Sequence, residues 1–276
     1  MKKVIAILFT ILLSANIAYA EKVRMYSRNN GQTITSKEQK TKQLANITPG
    51  QKKFLQAGTL FNNKYYQKTI KNLHEIINNK EDPFFWKGYE TDLSCVYQLL
   101  GMCYLQLQEY PAAELNLQKA IAIDQRNFYA YDSLVEMYHM EKRFAEAKTL
   151  AQKEVDLVGQ MNGKPYYNLG ASLVELKEYE EAISVADRGL KIAPKSYHLQ
   201  DVKGYALVMS GKAKKGLPYL EYAAKIRAVP EILFHRGCCY EALGEKALAL
   251  ADFKAVIAAN ENYVEEAKAH LGKKGF

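Results

Sequence analysis

The segment YNLGASLVELKEYEEAISVADRGLKIAP, residues 167–194, decides the fold of this chain. Its small residues Gly170 and Ala182 are twelve positions apart, and the large residue Leu173 lies between them. This spacing predicts two amphipathic helices joined by a short turn, with the small residues at positions where helices cross closely. Pro194 marks the end of the second helix, because proline has no amide hydrogen with which to continue it.

The same pattern recurs along the chain and is therefore an internal repeat. Small residues in the first position step by 44, 34, 35, 34 and 33, and those in the second position take the same steps. The first set is Ala57, Gly101, Val135, Gly170, Gly204 and Gly237. The second set is Thr69, Ala113, Ala147, Ala182, Gly216 and Ala249. Two sets in one register predict six helical hairpins over residues 50–260, and so an all-α fold.

This spacing resembles that of the tetratricopeptide repeat family over nearly all of the chain after residue 50. Two departures are Val135, which replaces a small residue, and the missing closing proline in most units. The resemblance implies a right-handed α-solenoid whose first helices, the A helices, line a concave groove that holds other proteins. Similar architectures serve in the bacterial periplasm, in outer-membrane assembly, pilus biogenesis and cell-wall synthesis. Residues 261–276 are expected to add a capping helix and a tail, because open solenoid ends need a polar cover.

Residues 1–20 have the pattern of a secretory signal peptide. Two lysines precede the apolar run 4–13, and Ala18-Tyr19-Ala20 places small residues where a signal peptidase cleaves. An uncleaved anchor is the alternative, although the run is shorter than the roughly 20 residues that span a bilayer. No cysteine follows the cleavage position, so a lipoprotein is not expected. We therefore expect a periplasmic or secreted protein that starts at Glu21.

The arm 21–49 is basic and shows neither helical nor strand periodicity, which predicts disorder. The whole chain carries a formal charge of +8, and loss of the two lysines of the signal peptide leaves +6. Six basic and two acidic residues give the arm +4, so the repeats are nearly balanced. The arm is either a tether to an anionic envelope surface or a solvated linker. Its basic residues are Lys22, Arg24, Arg28, Lys37, Lys40 and Lys42.

One stripe of each A helix is predicted to face the groove: the residue after the small one, with partners four before and three beyond. The stripe is aromatic, aliphatic and acidic, and it holds no Lys, Arg or Asn. Family members that clamp a peptide carboxylate use such residues, so that activity is in doubt here. The candidate partner-binding residues are Phe54, Phe61, Met102, Asp132, Glu136, Tyr167, Asp201, Tyr205 and Phe234. Their aromatic rings either anchor an apolar segment or pack on neighbouring A helices.

The 44-residue step leaves an insertion near residues 81–93 that is rich in aromatic residues. It includes Trp86, the only tryptophan, which we count as a tenth candidate for partner binding. Aromatic residues in a loop either pack on the repeats or meet a partner.

No catalytic or metal-binding motif stands out. His139 follows Glu136 by three residues, but no second histidine lies in register, so neither a metal nor a cofactor is expected. Cys95 and Cys103 are too far apart along one helix to pair, and Cys238-Cys239 are adjacent, so no structural disulfide is expected. Because no nucleophile, base and orienting group can be assembled, we do not expect an enzyme.

These observations favour a non-enzymatic scaffold or adaptor of the bacterial cell envelope that binds a client protein segment in the groove. The acidic stripe favours a segment that is apolar and carries basic residues, and nucleic acid is not an expected partner. The alternative is an envelope adaptor whose basic arm binds anionic lipid or polysaccharide. Salt dependence separates the two hypotheses, because binding through the arm weakens steeply with ionic strength.

Overall fold

A computed structural model of the chain describes residues 49–79, 90–160 and 162–272. The predicted signal peptide, the basic arm up to residue 48 and Trp86 lie outside the described residues. Within the described ranges the chain forms thirteen α-helices and no strand, which confirms the predicted all-α fold. None of the helices in these ranges has the length and apolar character needed to cross a membrane.

The helices pair into consecutive hairpins. In chain order they are α1 (Pro49–Asn62), α2 (Tyr66–Asn78), α3 (Glu90–Gln106), α4 (Tyr110–Ile123), α5 (Phe128–Met140), α6 (Phe144–Val158), α7 (Lys164–Glu175), α8 (Tyr179–Ile192), α9 (Tyr197–Met209), α10 (Ala213–Ile226), α11 (Pro230–Ala242), α12 (Lys246–Ala259) and α13 (Val264–Leu271). The odd-numbered helices from α1 to α11 are the A helices, and the even-numbered ones are the B helices. In addition to its own B helix, α9 packs against the A helices α7 and α11.

Backbone contacts divide the chain after Ala130, inside α5, into two compact units. The first unit holds α1 to α4 and the start of α5, around a core that includes Leu73, Ile76 and Leu100. The second unit holds the rest of α5 and α6 to α13, and its largest fully buried side chain is Phe253. Each unit is a stack of helical hairpins, the element from which α-solenoids are built.

The small residues of the repeat are buried, and three of the glycines, Gly101, Gly204 and Gly237, lie where a large residue of helix B packs against helix A. A Cβ atom on Gly204 would lie 2.7 Å from Cγ of Leu220, and one on Gly237 would lie 2.7 Å from Cε1 of Phe253. Real Cβ atoms essentially never approach a neighbour below 3.0 Å. Glycine is therefore needed at these positions because a large residue of helix B packs directly on helix A.

A residue in the left-handed conformation joins each A helix to its B helix. In the fourth hairpin Lys177 has a φ of 62°, and the amide of Glu178 donates a 2.8 Å hydrogen bond to the carbonyl of Leu173. This is the six-to-one bond of a Schellman cap, which satisfies a carbonyl at the helix end. The equivalent residues in the other hairpins are Lys64, Gln108, Lys142, Gly211 and Gly244. The repeated cap makes every A-to-B turn alike.

α13 is the last helix of the described chain. α13 packs on α12, with Ala267 fully buried, and the Tyr263 ring before it stacks on Phe234 at 4.9 Å.

None of the four cysteines forms a disulfide. Burial raises the pKa of the Cys103 and Cys239 thiols, so both are protonated and weakly nucleophilic at neutral pH.

The close approach of helices A and B predicts opposite results for two glycine substitutions. Gly204→Ala should lower the free energy of unfolding by about 1–3 kcal/mol, because its methyl group has no space beside Leu220. Gly58→Ala is the control: nothing lies within 4 Å of the position of its Cβ, and a gain of about 0.4–1 kcal/mol is expected. Urea unfolding followed by circular dichroism measures both, and equal effects would contradict the close approach.

Candidate interaction face

In the first unit the predicted groove residues are largely in the core. Phe61 and Met102 are buried, and Phe54 is half-buried against the same cluster of apolar side chains. These three side chains stabilise the packing of α1 on α3. Their role in partner binding stays a prediction.

In the second unit the predicted groove residues are more accessible. Phe234 and Asp201 are buried, at 5% and 4% exposure. Half-buried or exposed are Asp132, Glu136, Tyr167 and Tyr205. The A helices α7, α9 and α11, together with the part of α5 that belongs to this unit, therefore offer polar and aromatic groups to solvent.

Asp132 on α5 is the centre of the first polar cluster. Its carboxylate lies 3.2 Å from Nζ of Lys164, and its Oδ1 accepts a 2.9 Å hydrogen bond from Nδ2 of Asn168. The same Asn168 amide donates to Oε2 of Glu154 at 3.0 Å. Glu154 is buried, and this burial, with the charge of Asp132, raises the pKa of Glu154 to about 8. Glu154 is therefore mostly neutral at pH 7, whereas Asp132 is paired with a cation.

Lys164, in the first turn of α7, is the cation of this cluster. Burial lowers the pKa of Lys164, but the carboxylates of Asp132 and Glu136 outweigh that effect, so the net shift is upward and the amine stays charged. Its Nζ lies 5.5 Å from the centre of the Tyr167 ring. The Glu136 side chain is partly accessible to solvent. Desolvation by the neighbouring protein, followed by the charge of Asp132, raises its pKa.

Two histidines of the second unit are neutral at pH 7. Burial lowers the pKa of both His139 and His198 to about 4. His139 Nε2 lies 2.8 Å from Oγ of Ser172, which donates its own proton to the carbonyl of Asn168 at 2.8 Å. His139 therefore donates to Ser172, and its structural role is a hydrogen bond between α5 and α7.

His235 on α11 is the centre of the second polar cluster. Its Nδ1 lies 3.0 Å from both carboxylate oxygens of Asp201, and the Tyr205 ring stacks on the imidazole at 3.8 Å. Burial lowers the pKa of His235, but the charges of Asp201, Glu231 and Glu175 outweigh it and the net shift is upward. The structure thus favours an imidazolium paired with Asp201.

Glu231 lies beside this pair, in the first turn of α11. Its carboxylate, that of Asp201 and the imidazole of His235 each offer a ligand atom, and these atoms lie within 4.8 Å of one another. They are the one such group of three potential metal ligands in the part of the chain that the structure describes. The sequence analysis assigned no metal ligand here. The Nδ1 atom of His235 is engaged by Asp201, so it is not free to bind a cation.

Two tyrosine hydroxyls are affected by the charge of the Glu231 carboxylate. The pKa of the Tyr167 phenol is raised well above its ordinary value, first by the charge of Glu231 and then by burial. Burial raises the pKa of Tyr263, and the charge of Glu231 adds to this effect. The pKa of Glu231 itself is raised by burial and by the charge of Asp201. Side chains from α7 and α11, with Tyr263 ahead of α13, therefore converge on one region.

We call this surface of the second unit the acidic face. Five carboxyl groups, two cations and three tyrosine rings define it. They are Asp132, Glu136, Glu175, Asp201, Glu231, Lys164, His235, Tyr167, Tyr205 and Tyr263. The sequence analysis identified five of these ten residues.

Two of the missed residues have a simple sequence signal. Lys164 and Glu231, like the nearby His198, each lie three positions before a predicted groove residue, so the stripe continues one turn toward the start of these A helices. Sequence analysis stopped the stripe one turn too early. Glu175 and His235 lack this signal, because each directly follows a residue of the predicted stripe. Tyr263 gives no such signal, because it lies in the connection between α12 and α13.

Comparison with known proteins agrees with this architecture. Three segments match the tetratricopeptide repeat family, at residues 96–127, 163–196 and 230–263. No curated protein matches the chain.

Solved structures also share the fold. A tetratricopeptide repeat protein from Parabacteroides merdae is 14% identical, with a TM-score of 0.62 over 76% of this chain and 79% of its own. The Thermus thermophilus protein TTC0263 is 20% identical, with a TM-score of 0.54 over 64% of this chain and 99% of its own. PilF of Pseudomonas aeruginosa is 20% identical, with a TM-score of 0.52 over 63% of this chain and 78% of its own. With its hairpins, its Schellman turns and its three matched segments, this chain contains tetratricopeptide repeats at residues 96–127, 163–196 and 230–263.

Proposed function

We propose that this protein is a non-enzymatic scaffold of the bacterial cell envelope, which holds a basic, apolar segment of a client protein on its acidic face. Tetratricopeptide repeats generally mediate interactions between proteins, which supports the general class. The character of the segment comes from the chemistry of the face.

The observation that carries the proposal is the excess of carboxyl groups over cations on the acidic face. Lys164 pairs with Asp132 and His235 pairs with Asp201, so each internal cation is already engaged. Glu175 and Glu231 form no ion pair or hydrogen bond with another side chain of the described ranges. A partner that carries Lys or Arg supplies the missing positive charge.

Tyrosine rings give the same face an apolar component. Tyr167 and Tyr205 are half-buried, and their rings lie against His198 at 4.7 Å and His235 at 3.8 Å. These contacts fix the rings in place, so a partner does not have to order them on binding. Pre-ordered aromatic rings are common anchors at the centres of protein interfaces.

The envelope location rests on residues 1–20, with their two lysines, apolar run and Ala18-Tyr19-Ala20. The alternative function, binding of anionic lipid or polysaccharide through the basic arm, rests on the charge of +4 over residues 21–49. The acidic face favours a protein partner, because carboxylates repel anionic surfaces.

Tyrosine substitutions test the scaffold. The double variant Tyr167→Ala and Tyr205→Ala should weaken binding of a fluorescent amphipathic peptide of Leu, Phe and Lys by roughly tenfold or more, because it removes two interface anchors. Fluorescence anisotropy with the chain from Glu21 onward measures the affinity. Tyr222→Ala, at a half-buried tyrosine on the B helix α10, is the matched control and should bind like the wild type.

Stability measurements distinguish loss of the interface from loss of the fold. Leu173→Ala, at a fully buried leucine, should cost about 2–5 kcal/mol of unfolding free energy, and the tyrosine variants should cost less. Tyrosine variants that melt like Leu173→Ala and still bind would contradict the proposed face. Binding that survives in these variants but disappears when residues 21–48 are removed would favour the basic arm.

Processing of the N-terminus tests the location. Expression of the whole chain in a Gram-negative host should yield periplasmic protein that begins at Glu21, because peptidase cleaves after Ala20. Intact-mass spectrometry of the periplasmic fraction measures the start of the chain. An Ala20→Arg variant should remain uncleaved. Wild-type protein that retains Met1 in the membrane fraction would favour the uncleaved anchor.

A further inference from the structure

The strongest local feature of the acidic face is the Glu231 carboxylate, which has no counter-ion of its own. His235 Nδ1 lies 3.0 Å from both oxygens of Asp201, so its hydrogen bond goes to that carboxylate, although its charge also acts on Glu231. Among residues 49–79, 90–160 and 162–272, no side chain forms an ion pair or hydrogen bond with Glu231. Glu231 lies in the first turn of α11, where the helix dipole favours an anion, whereas burial and the charge of Asp201 raise its pKa.

A second carboxylate without a side-chain counter-ion lies near the first. Glu175, the last residue of α7, is exposed and forms no side-chain ion pair with another described residue, and its charge acts on both His235 and Glu231. Desolvation raises its pKa, and the charges of His235 and Lys142 oppose that shift. Three carboxyl groups, those of Glu175, Asp201 and Glu231, therefore lie around one imidazole. The cluster holds more carboxyl groups than basic groups after the Asp201–His235 pair is formed.

The walls of this region are aromatic. Tyr263 stacks on Phe234 at 4.9 Å with the ring planes 20° apart, and Tyr205 stacks on His235 at 3.8 Å with the planes 12° apart. Tyr167 completes the wall from α7, with its phenol within the field of Glu231. Aromatic faces attract cations and also pack against the methylene groups of a long side chain.

Resting on the proposed function, we propose that Glu175 and Glu231, between the rings of Tyr167 and Tyr263, form a subsite that takes one Lys or Arg side chain of the partner segment. The cationic head lies at the carboxylates, and the methylene stem lies along the tyrosine rings. Asp201 stays paired with His235 and sets the position of α11 relative to α9.

A side chain explains this subsite better than a metal ion does. A metal ion bound by His235 through Nδ1, together with Asp201 and Glu231, needs the lone pair of that nitrogen, which requires loss of the proton shared with Asp201. Aromatic rings, rather than further ligand atoms, surround the remaining space. A lysine or arginine leaves the Asp201–His235 pair intact and uses the carboxylates that have no side-chain counter-ion.

A small-molecule titration tests the subsite apart from peptide binding. N-acetyl-lysine methylamide and N-acetyl-arginine methylamide are added to the chain from Glu21 onward, and NMR follows the ring protons of His235. Saturable shifts are expected with both compounds, and the isosteric uncharged compound N-acetyl-norleucine methylamide should give none. Glu231→Gln should abolish the shifts. Glu245→Gln, at an exposed glutamate before α12, is the matched control and should preserve them.

A double-mutant cycle with the amphipathic peptide tests the same contact in the complex. Glu231→Gln should weaken binding of the peptide roughly tenfold, and should have no further effect on a peptide whose lysines are replaced by norleucine. Carbodiimide coupling should join a peptide lysine to Glu231 or Glu175, as read by peptide mapping. Equal losses with both peptides, or coupling only at other carboxylates, would overturn the subsite.

The outcomes separate the subsite from the scaffold. Shifts with the small cations but no peptide binding would sink the proposed function and leave the subsite standing. Peptide binding without shifts or coupling at Glu231 would sink the subsite alone. Thermal melting with zinc chloride covers the remaining possibility: stabilisation at micromolar zinc that is lost in both Glu231→Gln and His235→Gln would replace the side-chain subsite by a metal site.

Discussion

The contact between a small residue on helix A and a large residue sixteen positions later on helix B is the constraint on which the rest of the structure depends. In three hairpins the pair is Gly101 with Leu117, Gly204 with Leu220, or Gly237 with Phe253. Each contact fixes how closely two helices of one hairpin pack, and hence how much space the next hairpin finds. Close packing of successive repeats also brings side chains of neighbouring A helices into contact. Asp201 and His235, which are 34 residues apart, form such a hydrogen bond.

The hairpins could be predicted from the sequence because two sets of small residues carry one period. The turns could be located but not explained in this way, since glycine stands in the left-handed position of only two of them, Gly211 and Gly244. Lys64, Gln108, Lys142 and Lys177 adopt the same conformation at the steric cost that any residue with a Cβ atom meets there. The Schellman bond of each hairpin offsets this cost, and that bond is visible only in the folded chain.

Helical spacing predicted which side of the A helices carries the acidic face, but not how deep each residue lies. Phe234 has the right position on α11 and is nevertheless buried, because Tyr263 stacks over it. Burial depends on what the neighbouring hairpin or cap provides, and one helix contains no information about that. The charge pairs of the face share this property, since Lys164 pairs with Asp132 on another A helix.

The ionisation of the groups on and beside the acidic face depends on the balance between desolvation and the charges of neighbouring groups. Glu154 and His139 are desolvated without a full counter-charge. The pKa of Glu154 is therefore raised and that of His139 lowered, so both favour their neutral forms. His235 is buried but has Asp201 within hydrogen-bond distance, so the carboxylate and its acidic neighbours outweigh desolvation, and the raised pKa of the imidazole favours its charged form. Lys164 and His235 thus link A helices through Asp132 and Asp201, and their charges also act on the neighbouring carboxyl groups. A binding surface built this way keeps more carboxyl groups than cations, and an arriving cation can bind Glu231 without breaking an ion pair.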